Sequence, residues 1–226
     1  MIKILKNLIK KLTETEAIDP VIPMVGGFTM LTKPRLNNLL ILSRRLIDQK
    51  ITGDFVECGT CRGGSAAILA YAAKEEGWRR QVWLFDSFQG HPEPQNQNAP
   101  DKEILKKWVG TMVASPEDVR LALSIAGAYS PEHVKIIPGW FKDSLPKTEI
   151  KKIALLHIDS DWYESTLCCL ENLYGKVVSG GYIVIDDYSY EDMPGVKQAV
   201  DEFFKTRNLE INLTFKIKPA IILQRK

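Results

Sequence analysis

The chain has 226 residues, 45% of them hydrophobic, which is enough to bury the core of one α/β domain and too little for two full ones. Lysine and arginine total 30 against 28 acidic residues, and a formal charge of +2 excludes both the basic face of a nucleic-acid-binding protein and an acidic tail. No apolar run approaches the ~20 residues of a membrane span, so no integral membrane association is expected.

In chain order, residues 1–17 set Ile2, Leu5, Leu8, Ile9 and Leu12 at helical spacing on a basic background. They read as an amphipathic helix for packing or for homodimer contact, with a membrane-surface role as the lesser alternative. The segment has neither the apolar core nor the cleavage site of a signal peptide, and with Cys58, Cys61, Cys168 and Cys169 it suits a reducing cytoplasm. Residues 20–50 follow as a loop and a second amphipathic helix. From residue 54 onward "DFVECG", "QVWLFDS", "HVKIIPG", "IALLHID" and "GYIVIDD" are short, continuously apolar runs, the pattern of strands covered on both faces. Helical patterns between them, "GGSAAILAYAAKEEG" and "DWYESTLCCLENLYGK", each end near a glycine suited to a C-cap, so the fold class is α/β, doubly wound, with a mostly parallel sheet. The final "INLTFKIKPAIILQR" leaves no room for a helix between its two apolar runs, which predicts an antiparallel last strand inserted by hairpin. Residues 1–50 and 90–131 lie outside this rhythm and are expected to roof the site as lid segments on a single domain of residues 1–226.

Ligands of open parallel sheets bind beyond the carboxyl ends of the strands. The first such turn reads "VECGTCRGGSAA", where Gly59, Gly63 and Gly64 admit close backbone approach at a helix N-terminus. The dinucleotide fingerprint is absent, and Glu57 ahead of the glycines would repel a pyrophosphate but accept from an ammonium group. Asp86 ends the second strand, where such sheets hold ribose hydroxyls. A nucleoside ligand is therefore expected, against the blander reading of tight helix packing. Strands four and five end on "HIDSD" and "VIDDY", which brings Asp159, Asp186 and Asp187 to one lip with Asp161 beside them. So many carboxylates require a compensating cation, and an all-oxygen set selects a hard ion such as Mg²⁺. The competing reading makes Asp161 the N-cap of the next helix and gives Asp187 a similar role. His157 reads as a satisfied core histidine more readily than as a base, and His91 as a substrate contact or a solvated loop residue.

"GDFVECGTCRGGSA", "WLFDSFQGHPEP", "GWFKDSLP", "LHIDSDWYESTLCCLENLY", "GGYIVIDDY" and "PGVKQAVDEFF", in this order, resemble the macrocin O-methyltransferase family of S-adenosylmethionine-dependent enzymes that methylate sugar hydroxyls. The resemblance implies a class I methyltransferase (Rossmann-like) fold with a seven-stranded sheet. It implies cofactor contacts from Glu57, Gly59, Thr60, Gly63, Gly64, Ser65, Asp86 and Ser87, from Gly139, Trp140 and Phe141 near the adenine, from Asp159, and from Met30 in a stretch closing over the methionine end. It also implies Mg²⁺ on Asp159, Asp186 and Asp187. The expected reaction is methyl transfer to a sugar hydroxyl of a glycosylated metabolite or polysaccharide, with Asp159 or Asp161 as base. Gln95, Asn96, Gln97 and Asn98 in the roof favour such a hydroxylated acceptor, and a phenolic acceptor or a non-catalytic cofactor-binding partner are the alternatives. Catechol O-methyltransferases, a more distant likeness, place a catalytic lysine where this chain has Trp162, so that mechanism does not carry over. Cys58 and Cys61 form C-x-x-C without a second pair at zinc spacing.

Overall fold

The computed structural model describes residues 18–94 and 100–226. The N-terminal amphipathic helix and the Gln95 to Asn98 stretch lie outside the described residues. Seven strands form one sheet: β1 (Asp54–Cys58), β2 (Val82–Asp86), β3 (Val134–Pro138), β4 (Ile153–Ile158), β5 (Val177–Ile185), β6 (Leu213–Ile217) and β7 (Ala220–Gln224). Their order is β3-β2-β1-β4-β5-β7-β6, parallel from β3 to β5, with β7 antiparallel to both neighbours. The last strand is thus inserted between β5 and β6, as the short "KIKP" connection requires. β4 is buried at every position because helices cover both faces, which is why its run is apolar without alternation.

One face carries α1 (Val21–Val25), α2 (Lys33–Asp48), α3 (Gly64–Glu75) and α5 (Pro116–Ile125), and the other α7 (Tyr163–Leu173) and α8 (Pro194–Thr206). Each layer closes its own apolar core. Leu36, Leu39, Ile68 and Val119 belong to the first, and Leu170, Leu173, Val200 and Phe203 to the second. One of the two helix ends differs from expectation. Gly77 follows α3 with φ +80°, the left-handed residue expected there, whereas Gly175 sits inside a short 3-10 turn, Tyr174–Lys176, that leads into a β5 longer than its apolar run suggested.

The two roof segments also differ from expectation. Residues 27–31 do border the site, but a helical turn, α1, precedes them. The second half of residues 90–131 is core: α5 opens on a capping box between Ser115 and Asp118 and buries Val119, Ala122 and Leu123 at i, i+3 and i+4. Among the described residues of this segment, Gly90, His91, Pro92, α4 (Lys102–Trp108) and Met112 reach the cavity. Among the described residues, no helix is long and apolar enough to cross a membrane.

Candidate active site

The strand tips are tied together one residue beyond the sheet. Gly59 N donates to Phe85 O (2.9 Å), Asp159 N to Cys58 O (2.9 Å) and Asp186 N to Ile158 O (2.8 Å). This fixes the backbone under Asp159 and Asp186. Gly59 permits it: φ is +91°, and a Cβ there would lie 1.7 Å from the Asp159 carbonyl oxygen. Above the tips opens a cavity of about 990 Å³. Gly59, Thr60, Ser65, Asp86 and Ser87 line one end of it, at the tips of β1 and β2, with Trp140 and Phe141, at the start of α6 (Phe141–Ser144), just beyond β3. Met30, Asp159, Asp161 and Asp187 line the other. Glu57, Gly63, Gly64, Gly139 and Asp186 do not line it.

At the first end, Asp86 accepts from Cys61 N (2.7 Å) and Phe88 N (2.8 Å), so its carboxylate is aimed by backbone amides. Burial raises its pKa, against those amide bonds. Cys61, at φ +45°, meets Asp86 through its amide, while its thiol faces Met112 O at 3.9 Å. All four cysteines are free, and Cys58 is buried beside Cys169, on α7, rather than beside Cys61. The Ser87 hydroxyl donates to Gly90 O (3.1 Å) and accepts from Gln89 N (3.0 Å), bracing its own turn.

The second end is a charge cluster built across three strands. Glu57 and His157 are register partners on β1 and β4, and His157 Nδ1 lies 2.8 Å from Glu57 Oε1 while Nε2 lies 3.0 Å from Asp186 Oδ2. His157 is fully buried, the core histidine expected, with a carboxylate on each nitrogen. Burial lowers its pKa, but the bonds to Asp186 and Glu57 outweigh it and push it up to about 10. The other Asp186 oxygen is taken by Arg35 on α2, through Nε (2.9 Å) and Nη2 (2.5 Å). Arg35 Nη2 also stands 3.7 Å from Asp187.

Asp161 does not cap α7. Its φ is +61°, Trp162 is the N-cap residue without a side-chain bond, and the buried Asp101 carboxylate from the insertion accepts from Tyr163 N at 2.8 Å instead. Asp161 Oδ2 faces His91 Nε2 at 2.8 Å. Asp187, at φ +55°, opens a turn and caps no helix. Oxygens of Asp159, Asp161 and Asp187 all lie within 4.8 Å of one another, and His157, Asp159 and Asp186 form a second such group. Burial, then the charges of Asp186 and Asp161, raises Asp159 well above an ordinary carboxyl. Burial, then Asp161 and Asp186, pushes Asp187 up to about 7. Arg35 therefore leaves negative charge uncompensated at Asp159.

Sequence reasoning missed Arg35 and Asp101. Arg35 did leave a signal: α2 starts with Lys33 and Arg35 and has no acid in its first turn, an arrangement opposed by the helix dipole unless an anion waits nearby. Asp101 left none, since its partner amide is 62 residues away.

A model of the macrocin-O-methyltransferase (TylF) family matches residues 8–225. The demethyldecarbamoylnovobiocin O-methyltransferase of Streptomyces niveus is 38% identical over 181 residues, spanning 79% of this chain and 68% of that protein. The mycinamicin III 3''-O-methyltransferase of Micromonospora griseorubida is 32% identical over 179 residues, spanning 77% and 69%. Among solved structures, the O-methyltransferase NovP has a TM-score of 0.80 at 34% identity over 88% of this chain and 82% of its own. The strand-tip cavity, with its glycine turn, its aimed Asp86 and its acidic lip, thus sits in a chain that belongs to the macrocin-O-methyltransferase family of O-methyltransferases.

Proposed function

We propose that the chain transfers the methyl group of S-adenosylmethionine to a sugar hydroxyl of a glycosylated small molecule, at an acidic centre that takes Mg²⁺. The observation that carries this reading is the single cavity joining the Asp86 end to the Asp159, Asp161 and Asp187 end. Asp86, oriented by two amides, keeps lone pairs for the ribose hydroxyls. Trp140 and Phe141 supply flat apolar surface for the adenine, and Met30 covers the methionine end from the roof. The name of one relative, the 8-demethyl-8-(2,3-dimethoxy-alpha-L-rhamnosyl)-tetracenomycin-C 4'-O-methyltransferase of Streptomyces olivaceus, carries a rhamnosyl group and supports a sugar acceptor.

The donor set suits a hard divalent ion. All-oxygen ligands within 4.8 Å of one another match opposed ligands about 2.0–2.6 Å from one centre, and the raised Asp159 and Asp187 mark the charge such an ion would neutralise. Asp159 and Asp187 would hold it, with Asp186 braced beside them by Arg35 and His157. When bound, the ion would lower the pKa of a coordinated hydroxyl and favour its ionised form. Asp161 takes the hydroxyl proton, because it reaches the same space while a donor from His91 fixes it. Trp108 and Tyr190, both partly exposed at the mouth, offer apolar surface to the body that carries the sugar.

Labelled S-adenosylmethionine tests this with methyl α-L-rhamnopyranoside, demethyldecarbamoylnovobiocin and catechol as acceptors, before and after chelation of divalent metal. Label in the glycosides that is lost on chelation is the expected result. Label in catechol alone would overturn the sugar acceptor, and turnover surviving chelation would overturn the metal.

A further inference from the structure

The insertion between β2 and β3 delivers one imidazole into the acidic end of the cavity, and the surrounding chain is organised to hold it there. Gly90, at φ +77°, turns the backbone where a Cβ would lie 2.2 Å from Thr111 O. His91 N then donates to Thr111 O (3.0 Å), and Gly110 N donates to His91 O (3.0 Å). The ring is gripped as well: Nδ1 is 3.3 Å from Thr111 Oγ1, and the ring meets Trp162 edge-on with centroids 5.0 Å apart. Only 11% of the side chain is exposed. What this assembly presents is Nε2, 2.8 Å from Asp161 Oδ2. Asp161 needs such a partner. Its left-handed backbone is strained for a residue with a Cβ, its own carboxylate caps no helix, and on the other side it meets only the Asp159 and Asp187 carboxyls, sharing a hydrogen bond with Asp187 that holds when Asp187 is protonated and turns to repulsion when it is ionised.

We infer that His91 is a positioning residue for methyl transfer, donating from Nε2 to hold the Asp161 carboxylate at the acceptor hydroxyl. This rests on the assignment of Asp161 as proton acceptor and adds that the acceptor is assembled only with the insertion in place. The contact reaches Asp161 from a segment 70 residues away, so it forms only when that segment is folded against the strand tip.

The chain has three histidines, so a ¹⁵N-histidine-labelled sample gives three ring systems that H91F assigns. Expected is a slowly exchanging Nε2–H on His91 whose shift moves in D161N; indifference to D161N overturns the pairing. With methyl α-L-rhamnopyranoside and S-adenosylmethionine, H91F should lower kcat by about 10- to 100-fold while acceptor KM and S-adenosylhomocysteine affinity hold. H91Q, whose amide nitrogen reaches the place of Nε2, should restore most of the rate, and H91N, which mimics Nδ1, should not. Wild-type kcat in H91F, or better rescue by Asn than by Gln, overturns the inference. D161N separates the two levels: full activity in D161N overturns Asp161 as proton acceptor, whereas an inactive D161N beside a normal H91F overturns only the role of His91.

Discussion

Arg35→Met removes the guanidinium from the acidic lip and keeps most of the apolar stem that crosses the roof. Arg35 is 12% exposed on its side chain and Asp186 1%, so the pair is nearly dry. Deleting one member of a buried pair costs about 3–5 kcal/mol, because the other charge stays behind unpaired. His157 still holds the second Asp186 oxygen, which argues for the lower end, about 3 kcal/mol. For a domain of this size that is roughly 6–12 °C in Tm. The penalty must depend on pH with a definite sign. Asp159 and Asp187 have raised pKa values, so their folded forms bind protons more tightly than the unfolded chain does. That contribution is present below an ordinary carboxyl pKa and is lost as pH rises through about 7 for Asp187. Arg35 is needed most where the cluster is ionised, so the variant should fall furthest behind wild type at pH 8 and least at pH 5. Urea unfolding followed by tryptophan fluorescence, with chelator present, reads both. Added MgCl₂ should stabilise the variant more than the wild type, since the ion takes over the missing charge. A loss below about 1 kcal/mol at pH 8, or the same loss at both pH values, would refute the claim that Arg35 neutralises buried charge.

Gly59→Ala should cost about 2–4 kcal/mol in urea unfolding and abolish S-adenosylhomocysteine binding, since its Cβ meets the Asp159 carbonyl at a left-handed φ; a stable variant with wild-type affinity would refute the tip geometry. Asp86→Asn keeps the shape but turns one of its two acceptor oxygens into a donor against either the Cys61 or the Phe88 amide, so calorimetry should find S-adenosylhomocysteine affinity about 10- to 100-fold weaker, and an unchanged value would displace Asp86 from the cofactor. Mn²⁺ affinity measured by electron paramagnetic resonance should rise at least about tenfold per pH unit up to pH ~7, because Asp187 must shed a proton to bind and the raised Asp159 adds to the slope; a flat profile from pH 5 to 8 would exclude Asp187 as a ligand.

How much of this was legible in the sequence follows from the range over which each force acts. The strands were legible because burial on both faces leaves a local mark, the unbroken apolar run of β4, and the hairpin because its connection is too short for a crossover. Asp159, Asp161, Asp186 and Asp187 were legible as a cluster because strand tips in a parallel sheet must meet. Their partners were not. Arg35 lies 151 residues from Asp186 and His91 70 residues from Asp161, and no periodicity connects such positions. The N-cap reading of Asp161 failed for the same reason: a cap is judged from neighbours, and the carboxylate that serves α7 arrives from Asp101. Yet local conflict can point across the fold. A helix that opens on Lys33 and Arg35 without an acid contradicts its own dipole, and a strand that ends on two aspartates contradicts its burial. Each violation is unfavourable alone and is satisfied by the other, so the two could have been paired from sequence by asking which misplaced cation answers which misplaced anion.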